Sequence, residues 1–349
     1  MRMTLALALT LTVASFAQNA PATPHRDDAA MPTNPKAVKA WNEAQAYLKQ
    51  RMRGSAMDSY KKCVKIEPDN FLCAKSGISL ALSLGEYKDA MQMADMLAGA
   101  SQDPSHKVFG QYESGIASYR EGVARDKRDM VEKAKATFDA LIVEHPKDPN
   151  LLMASGLAAA HLKQDDEAKQ RFEEFLKVAP ADDEERSRVQ RYIDRPELAR
   201  ARMAPSFRVT TLDGKTLSMD DLQGKVVLLD FWATWCGPCN QELPHVKDIV
   251  AKYQGRPLVV LSISWDKDEE KWKQFIASHG MTWNQYRDSD HDVTKLFGID
   301  AIPHYFTIDT DGVLQSEQMG TGSEIDGKLK KMVAAAEKKH QATVAKQGE

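Results

Sequence analysis

The chain has 349 residues, 42% of them hydrophobic and 28% charged, which is enough to bury more than one core and points to a globular protein of about two domains. Lys and Arg number 47 against 50 Asp and Glu, a net charge of −3, and no basic block is long enough to follow a phosphate backbone. Nucleic acid is therefore excluded as an expected partner.

The first residues, MRMTLALALTLTVASFAQNA, place Arg2 before an apolar stretch of roughly 13 residues and then Ser15-Phe16-Ala17, small at the −3 and −1 positions of a cleavage site. The stretch is shorter than the ~20 residues of a spanning helix. It predicts a signal peptide over 1–17, cut after Ala17, and then a flexible segment over 18–34; an uncleaved anchor is the alternative. No cysteine lies near the cut, so no lipid attachment is expected. The destination this implies is the periplasm or the exterior, where disulfides persist.

Residues 35–195 are Ala-rich with apolar residues at helical spacing and no convincing alternating stretch. They also repeat themselves. Ala134-x3-Phe138-x2-Leu141-x4-Pro146-x-Asp148 recurs 34 residues later as Ala168-x3-Phe172-x2-Phe175-x4-Pro180-x-Asp182. An earlier copy runs Ala56-x3-Tyr60-x2-Cys63-x4-Pro68-x-Asn70, and Ala90-x3-Ala94 follows it after another 34. The step from Ala90 to Ala134 is 44, which predicts about ten inserted residues around 124–130. The pattern resembles the tetratricopeptide repeat, an all-α array whose stacked helix pairs form a groove for a peptide or protein. A spacer or a dimer contact is the alternative use of such an array.

After a charged helical stretch the pattern changes. Residues 207–211 precede a turn at Asp213-Gly214; residues 226–231 and 258–264 are continuous apolar runs of the kind a buried central strand shows; residues 304–308 lead into a hairpin turn at Asp311-Gly312. Helices are expected after Cys236, Asp268, His291 and Ser323. Strands alternating with helices define an α/β domain, taken here as 203–340 with a tail at 341–349.

Cys236 and Cys239 stand where an apolar strand gives way to a helix, with only Gly237 and Pro238 between them. In that position the first thiol faces the positive end of the helix, which favours thiolate, and the second lies one turn in, placed to attack a mixed disulfide. Cys236 is thus the expected exposed nucleophile and Cys239 the resolving thiol. A structural bridge over so short a loop adds little stability. A zinc site normally needs four protein ligands, or three with an open position, and this C-x2-C has no second pair at finger-like spacing, which leaves His245 and His304 as the conceivable further ligands of a disfavoured reading. No metal or cofactor is expected.

The segment Trp235-Cys236-Gly237-Pro238-Cys239 after Asp230-Phe231-Trp232 resembles the active site of thioredoxin-fold proteins, and within these the TlpA/ResA-like thiol-disulfide oxidoreductases. Ala204-Pro205-Ser206-Phe207, Gly224-Lys225-Val226-Val227, Gln241-Glu242-Leu243-Pro244 and Gly298-Ile299-Asp300-Ala301-Ile302-Pro303 extend the resemblance. The resemblance implies a cis proline at Pro303, a substrate strand pairing with the backbone of Ile302, a helix kinked at Pro244, and Trp235 flanking the nucleophile. With Gly237 and Pro238 these residues form the implied client contact. His304 stands where the family usually has Thr, which bears on client preference. Asp230 matches the buried acid of thioredoxins and Glu242 the active-site Glu of the ResA-like group. Either takes the proton from Cys239, or is a solvated or salt-bridged charge. No Lys within 259–265 supplies the partner that thioredoxins give the buried acid.

Cys63 and Cys73 bracket a tight turn between consecutive helices, and an oxidising compartment favours a structural disulfide there; two buried free thiols are the alternative. The activity implied is protein-disulfide reduction, since Gly-Pro is the dipeptide of thioredoxin, at about −270 mV against about −120 mV for the oxidant DsbA. Partners would be a disulfide-containing client, a membrane or periplasmic thiol donor, and a protein or peptide in the repeat groove. A disulfide oxidase or isomerase, or a redox-regulated scaffold, is the alternative.

Overall fold

A computed structural model of the protein describes residues 30–183, 185–321 and 324–347. The signal peptide expected over 1–17 and most of the 18–34 segment lie outside the described residues. The chain forms two compact units, dividing between Arg200 and Ala201.

The first unit is built from α1 (Pro35–Lys49), α2 (Arg53–Ile66), α3 (Phe71–Leu84), α4 (Tyr87–Ala100), α5 (Pro104–Ala124), α6 (Arg128–Glu144), α7 (Pro149–His161), α8 (Asp165–Val178) and α9 (Arg186–Asp194). Asn34, Asn70, Asp103 and Asp148 start α1, α3, α5 and α7 by accepting N–H groups of the first turn, and Pro follows the cap in α1, α5 and α7. The recurring positions, among them Ala56, Tyr60, Ala90, Ala134, Phe138, Ala168 and Phe172, are buried. Two glycines make room for the aromatic member of the motif. A Cβ on Gly115 meets the Phe138 ring at 2.6 Å, and one on Gly156 meets Phe172 at 2.6 Å.

The ten extra residues between the second and third copies are not confined to 124–130. They lengthen helices: α5 has 21 residues where α3 has 14, and α6 has 17 where α4 has 14. Residues 104–124 contain no proline after Pro104 and bury residues on every side of α5, so the chain stays helical and packs. Cys63 of α2 and Cys73 of α3 are joined by a disulfide. A 3-10 turn, Pro196–Arg200, closes the unit: the Arg200 guanidinium donates to the Ala160 carbonyl at 3.0 Å and pairs with Asp165.

The second unit runs β1 (Arg208–Thr210), β2 (Thr216–Ser218), β3 (Val226–Trp232), α10 (Gly237–Lys252), β4 (Leu258–Ser264), α11 (Glu269–Ser278), β5 (Asn284–Arg287), α12 (Asp292–Leu296), β6 (His304–Ile308), β7 (Leu314–Met319) and α13 (Glu324–Gln347). β1 and β2 pair antiparallel; the main sheet has the order β5-β4-β3-β6-β7, with β3, β4 and β5 parallel and β6 and β7 antiparallel to their neighbours. All seven residues of β3 are buried, Asp230 among six apolar ones, as in a central strand covered on both faces. Its side chains alternate between two cores. Val227, Leu229 and Phe231 pack with Leu261, Ile263, Phe297 and Phe306 on one face. Val226 and Leu228 pack with Val246 and Ile249 of α10 and with Ile325, Leu329 and Val333 of α13 on the other. Residues 341–347, read as tail, are the end of α13. They continue a run of helix formers from Val333 with no Gly or Pro before Gly348.

Candidate active site

β3 ends at Trp232, and Ala233, Thr234 and Trp235 carry the chain to Cys236, the N-cap of α10. The Cys236 sulfur accepts the Cys239 N–H at 3.2 Å, so the cap bond of the helix falls on the sulfur itself. Cys236 and Cys239 are disulfide-bonded, with Cα atoms 5.2 Å apart. The two are almost equally covered, 6% and 5% exposed, so exposure does not single out Cys236 in the oxidised state. Both sulfurs lie in an apolar cluster with Trp232, Leu243, Trp272 and Met281, against which Ile302 packs. What distinguishes Cys236 is its cap position, where the helix end stabilises a thiolate. Trp235 is 65% exposed beside it, and Gly237 and Pro238 are exposed too.

The approach to the helix is fastened from β4. Asp266, buried two residues past that strand, accepts the Thr234 N–H at 2.9 Å, the Thr234 hydroxyl at 2.6 Å and the Ser264 hydroxyl at 2.6 Å. Asn240 of α10 donates back to the Thr234 carbonyl at 3.0 Å. Pro244 lies inside α10, where it lacks the N–H that an interior helix residue donates. The Ile302–Pro303 peptide is cis and leads into β6.

Asp230 is 4% exposed, on the face of β3 that α10 covers. Its register partner on β4 is Ser262, whose hydroxyl donates to Asp230 Oδ2 at 2.7 Å and accepts the Trp283 indole N–H at 2.8 Å. A serine, held by an indole, thus pairs with the buried acid on the strand where thioredoxins place a lysine. Burial pushes the Asp230 carboxyl up to about 7; the Ser262 bond opposes this, and the nearby Glu242 charge adds to it. Tyr305, opposite Asp230 on β6, is raised by burial and by the same two carboxylates.

Glu242 sits one turn after Cys239, and its Oε2 lies 3.3 Å from His245 Nδ1. His245 Nε2 is 2.8 Å from Asp326 Oδ2 of α13. Partial burial works against a charge on His245, but the Asp326 and Glu242 carboxylates outweigh it and hold the imidazole above its ordinary value.

His304 belongs to the opposite face. Its ring stacks on Phe306 at 5.0 Å, is 6% exposed, and has Nε2 3.1 Å from Glu317 Oε1. That bond, against the cost of burial and with help from Arg202 at 2.7 Å, brings Glu317 down to about 2. His304 and His245 are therefore on different sides of the sheet, and the His304 imidazole is held inside rather than presented with Trp235.

A disulfide at the N-cap of a helix, over a buried carboxyl and at the end of the central strand of a mixed sheet, defines a thioredoxin-like thiol-disulfide oxidoreductase. Sequence comparisons with known proteins agree. The AhpC/TSA family model matches residues 201–317, and tetratricopeptide-repeat models match 40–70 and 117–148. The thiol-disulfide oxidoreductase ResA of Bacillus thuringiensis (strain Al Hakam) is 31% identical over 143 residues, 40% of this chain and 83% of its own length. ResA of Oceanobacillus iheyensis is 32% identical over 121 residues, 34% of this chain and 63% of its own. A putative thiol:disulfide interchange protein DsbE from Chlorobium tepidum aligns in structure at 29% identity with a TM-score of 0.35, covering 38% of this chain and 94% of its own. The chain belongs to the ResA-like thiol-disulfide oxidoreductases, with tetratricopeptide repeats in its first unit.

Ser262, Trp283, Thr234, Asp266 and Asp326 are further residues of the site that no motif in the sequence marks. Ser262 had a signal, as one of two hydroxyls, with Ser264, in the otherwise apolar run that pairs with β3. Thr234 stands two residues before Cys236 in the chain, whereas Trp283, Asp266 and Asp326 are joined to the site only by tertiary packing.

Proposed function

We propose that the protein is an exported protein-disulfide reductase. Cys236 thiolate attacks a client disulfide, the client's thiol leaves, and Cys239 then attacks the mixed disulfide, closing the Cys236–Cys239 bond and releasing the second client thiol. Two electrons pass from the dithiol to the client. Trp235, Gly237, Pro238 and the backbone at Ile302 and Pro303 receive the client chain, and Asp230 with Glu242 takes the proton from Cys239. The observation that carries this reading is the Cys236 sulfur at the helix cap with a carboxyl of raised pKa beneath the same helix. The repeat unit holds the client or a partner protein, as stacked helical pairs do. Export to an oxidising compartment is supported by the Cys63–Cys73 disulfide. Re-reduction then falls to a membrane or periplasmic thiol donor.

Reduction of insulin disulfides by the pre-reduced protein tests the activity; Cys236→Ser abolishes it if the reading holds. Equilibration against thiol redox buffers tests direction. A potential near about −270 mV supports a reductase, whereas one near about −120 mV makes the same pair an oxidant.

A further inference from the structure

The ionisable groups around the cysteine pair form a graded series from interior to solvent. Asp230 on β3 is 4% exposed. The side chains of Glu242, His245 and Asp326 are 16%, 26% and 38% exposed in turn. The spacing along α10 produces the order: Cys239, Glu242 and His245 stand on successive turns, and α13 brings Asp326 to the outer edge of the imidazole. Each His245 nitrogen faces a carboxylate oxygen, at 3.3 Å inward and 2.8 Å outward. In the imidazolium both N–H groups donate; in the neutral ring one nitrogen donates and the other accepts. The ring can therefore take a proton on its inner nitrogen and give one up on its outer nitrogen.

We propose that His245 is the proton port of the redox site, the group through which the proton leaving Cys239 passes from the Asp230–Glu242 pair to solvent, and through which it returns when the disulfide is reduced. This rests on the assignment of Cys236 and Cys239 as the exchanging pair. Resolution of the mixed disulfide converts the Cys239 thiol to thiolate as the new S–S bond forms and the client sulfur leaves with the electron pair. The Cys239 proton goes first to a carboxylate beneath the helix. A buried acid that keeps it cannot accept the next one, so it must be emptied once per turnover. The groups that face the path are Asp230 from β3, Tyr305 from β6, Glu242 from α10 and Asp326 from α13, with Lys252 Nζ 3.6 Å from Asp326. His245 is the one histidine among them. It is a positioning residue that acts through Glu242 and touches no reacting sulfur in the proposal.

The test mixes the reduced full-length protein with oxidised glutathione and follows tryptophan fluorescence through formation and then resolution of the mixed disulfide, across a pH series. His245→Gln keeps hydrogen-bonding capacity without an ionisable ring. It should slow the resolution phase about tenfold near neutral pH and remove the limb of its pH profile that the imidazole supplies. His245→Ala should be slowed likewise and accelerated by added imidazole in proportion to the free base. Asp326→Asn, at a more exposed position, should move the limb to lower pH by removing a carboxylate that stabilises the imidazolium. Resolution by His245→Gln at the wild-type rate at every pH overturns the proposal. So does an Ala variant that melts like wild type, is slow, and ignores imidazole. Cys236→Ser separates the levels: if it still consumes glutathione disulfide, the assignment of the exchanging pair has failed, and the port falls with it.

Discussion

Asp230→Asn isolates the energetic cost of the buried acid. Raising a carboxyl from 3.8 to about 7 separates its protonated and ionised forms by about 4 kcal/mol relative to water. Because the folded pKa lies above the unfolded one, the folded protein binds more protons between those values, and stability falls as pH rises through that window. The loss is complete above about pH 7 and absent below about pH 4. Asparagine has the same shape and still accepts the Ser262 hydroxyl, but it never ionises. The variant should therefore match wild type near the acid end of the window and exceed it by up to about 4 kcal/mol above the upper end. Urea unfolding of the oxidised protein, followed by tryptophan fluorescence, reads the relevant unit: Trp232, Trp235, Trp265, Trp272 and Trp283 lie in it, and Trp41 alone lies in the repeats. Glu242→Gln supplies an internal control, since removing a like charge should lower the upper edge of the window. A wild-type stability that is flat across the window, or one that falls in parallel with that of Asp230→Asn, refutes the reasoning.

In the repeat unit, Gly156→Ala should cost about 1–3 kcal/mol because its Cβ meets the Phe172 ring, whereas Gly99→Ala, with open space around it, should gain up to about 1 kcal/mol. Far-ultraviolet circular dichroism during denaturation reads both. Cys63→Ser with Cys73→Ser releases a loop closed over a separation of 10 residues and should destabilise the same unit by about 3 kcal/mol; melting under oxidising and reducing conditions checks it, and the variant should not respond to reductant there. Asp266→Ala strands the Thr234 N–H and hydroxyl and should cost the second unit about 2–3 kcal/mol while slowing client attack, measured by urea unfolding and by insulin reduction.

The features legible in the sequence are those that follow from local chemistry. β3 and β4 are largely apolar seven-residue runs, β6 is a short run leading into a hairpin turn signal, and α10 starts where the C-x2-C pair follows β3. The repeat phase was legible because its small and aromatic positions recur at fixed spacing and every one of them is buried. The edge strand β5, Asn-Gln-Tyr-Arg, was not, because it carries no alternation and owes its conformation to pairing with β4. The same limit applied at the site. Glu242 stands out by its distance from Cys239 along one helix, while the Ser262–Trp283 support of Asp230 and the Asp326 contact of His245 depend on which strands and helices become neighbours. The extension of α5 and α6 was counted correctly and centred on 124–130, because a repeat offset gives the number of added residues but neither their exact place nor their conformation.

Cys236 as the attacking sulfur is read directly by a trap. Cys239→Ser, reduced at the active-site position and incubated with a disulfide-containing protein such as insulin, should accumulate a covalent adduct that peptide mass mapping places on Cys236 and that dissolves on reduction. An adduct mapped to Cys63 or Cys73, or no adduct at all while client disulfides are still reduced, would contradict it.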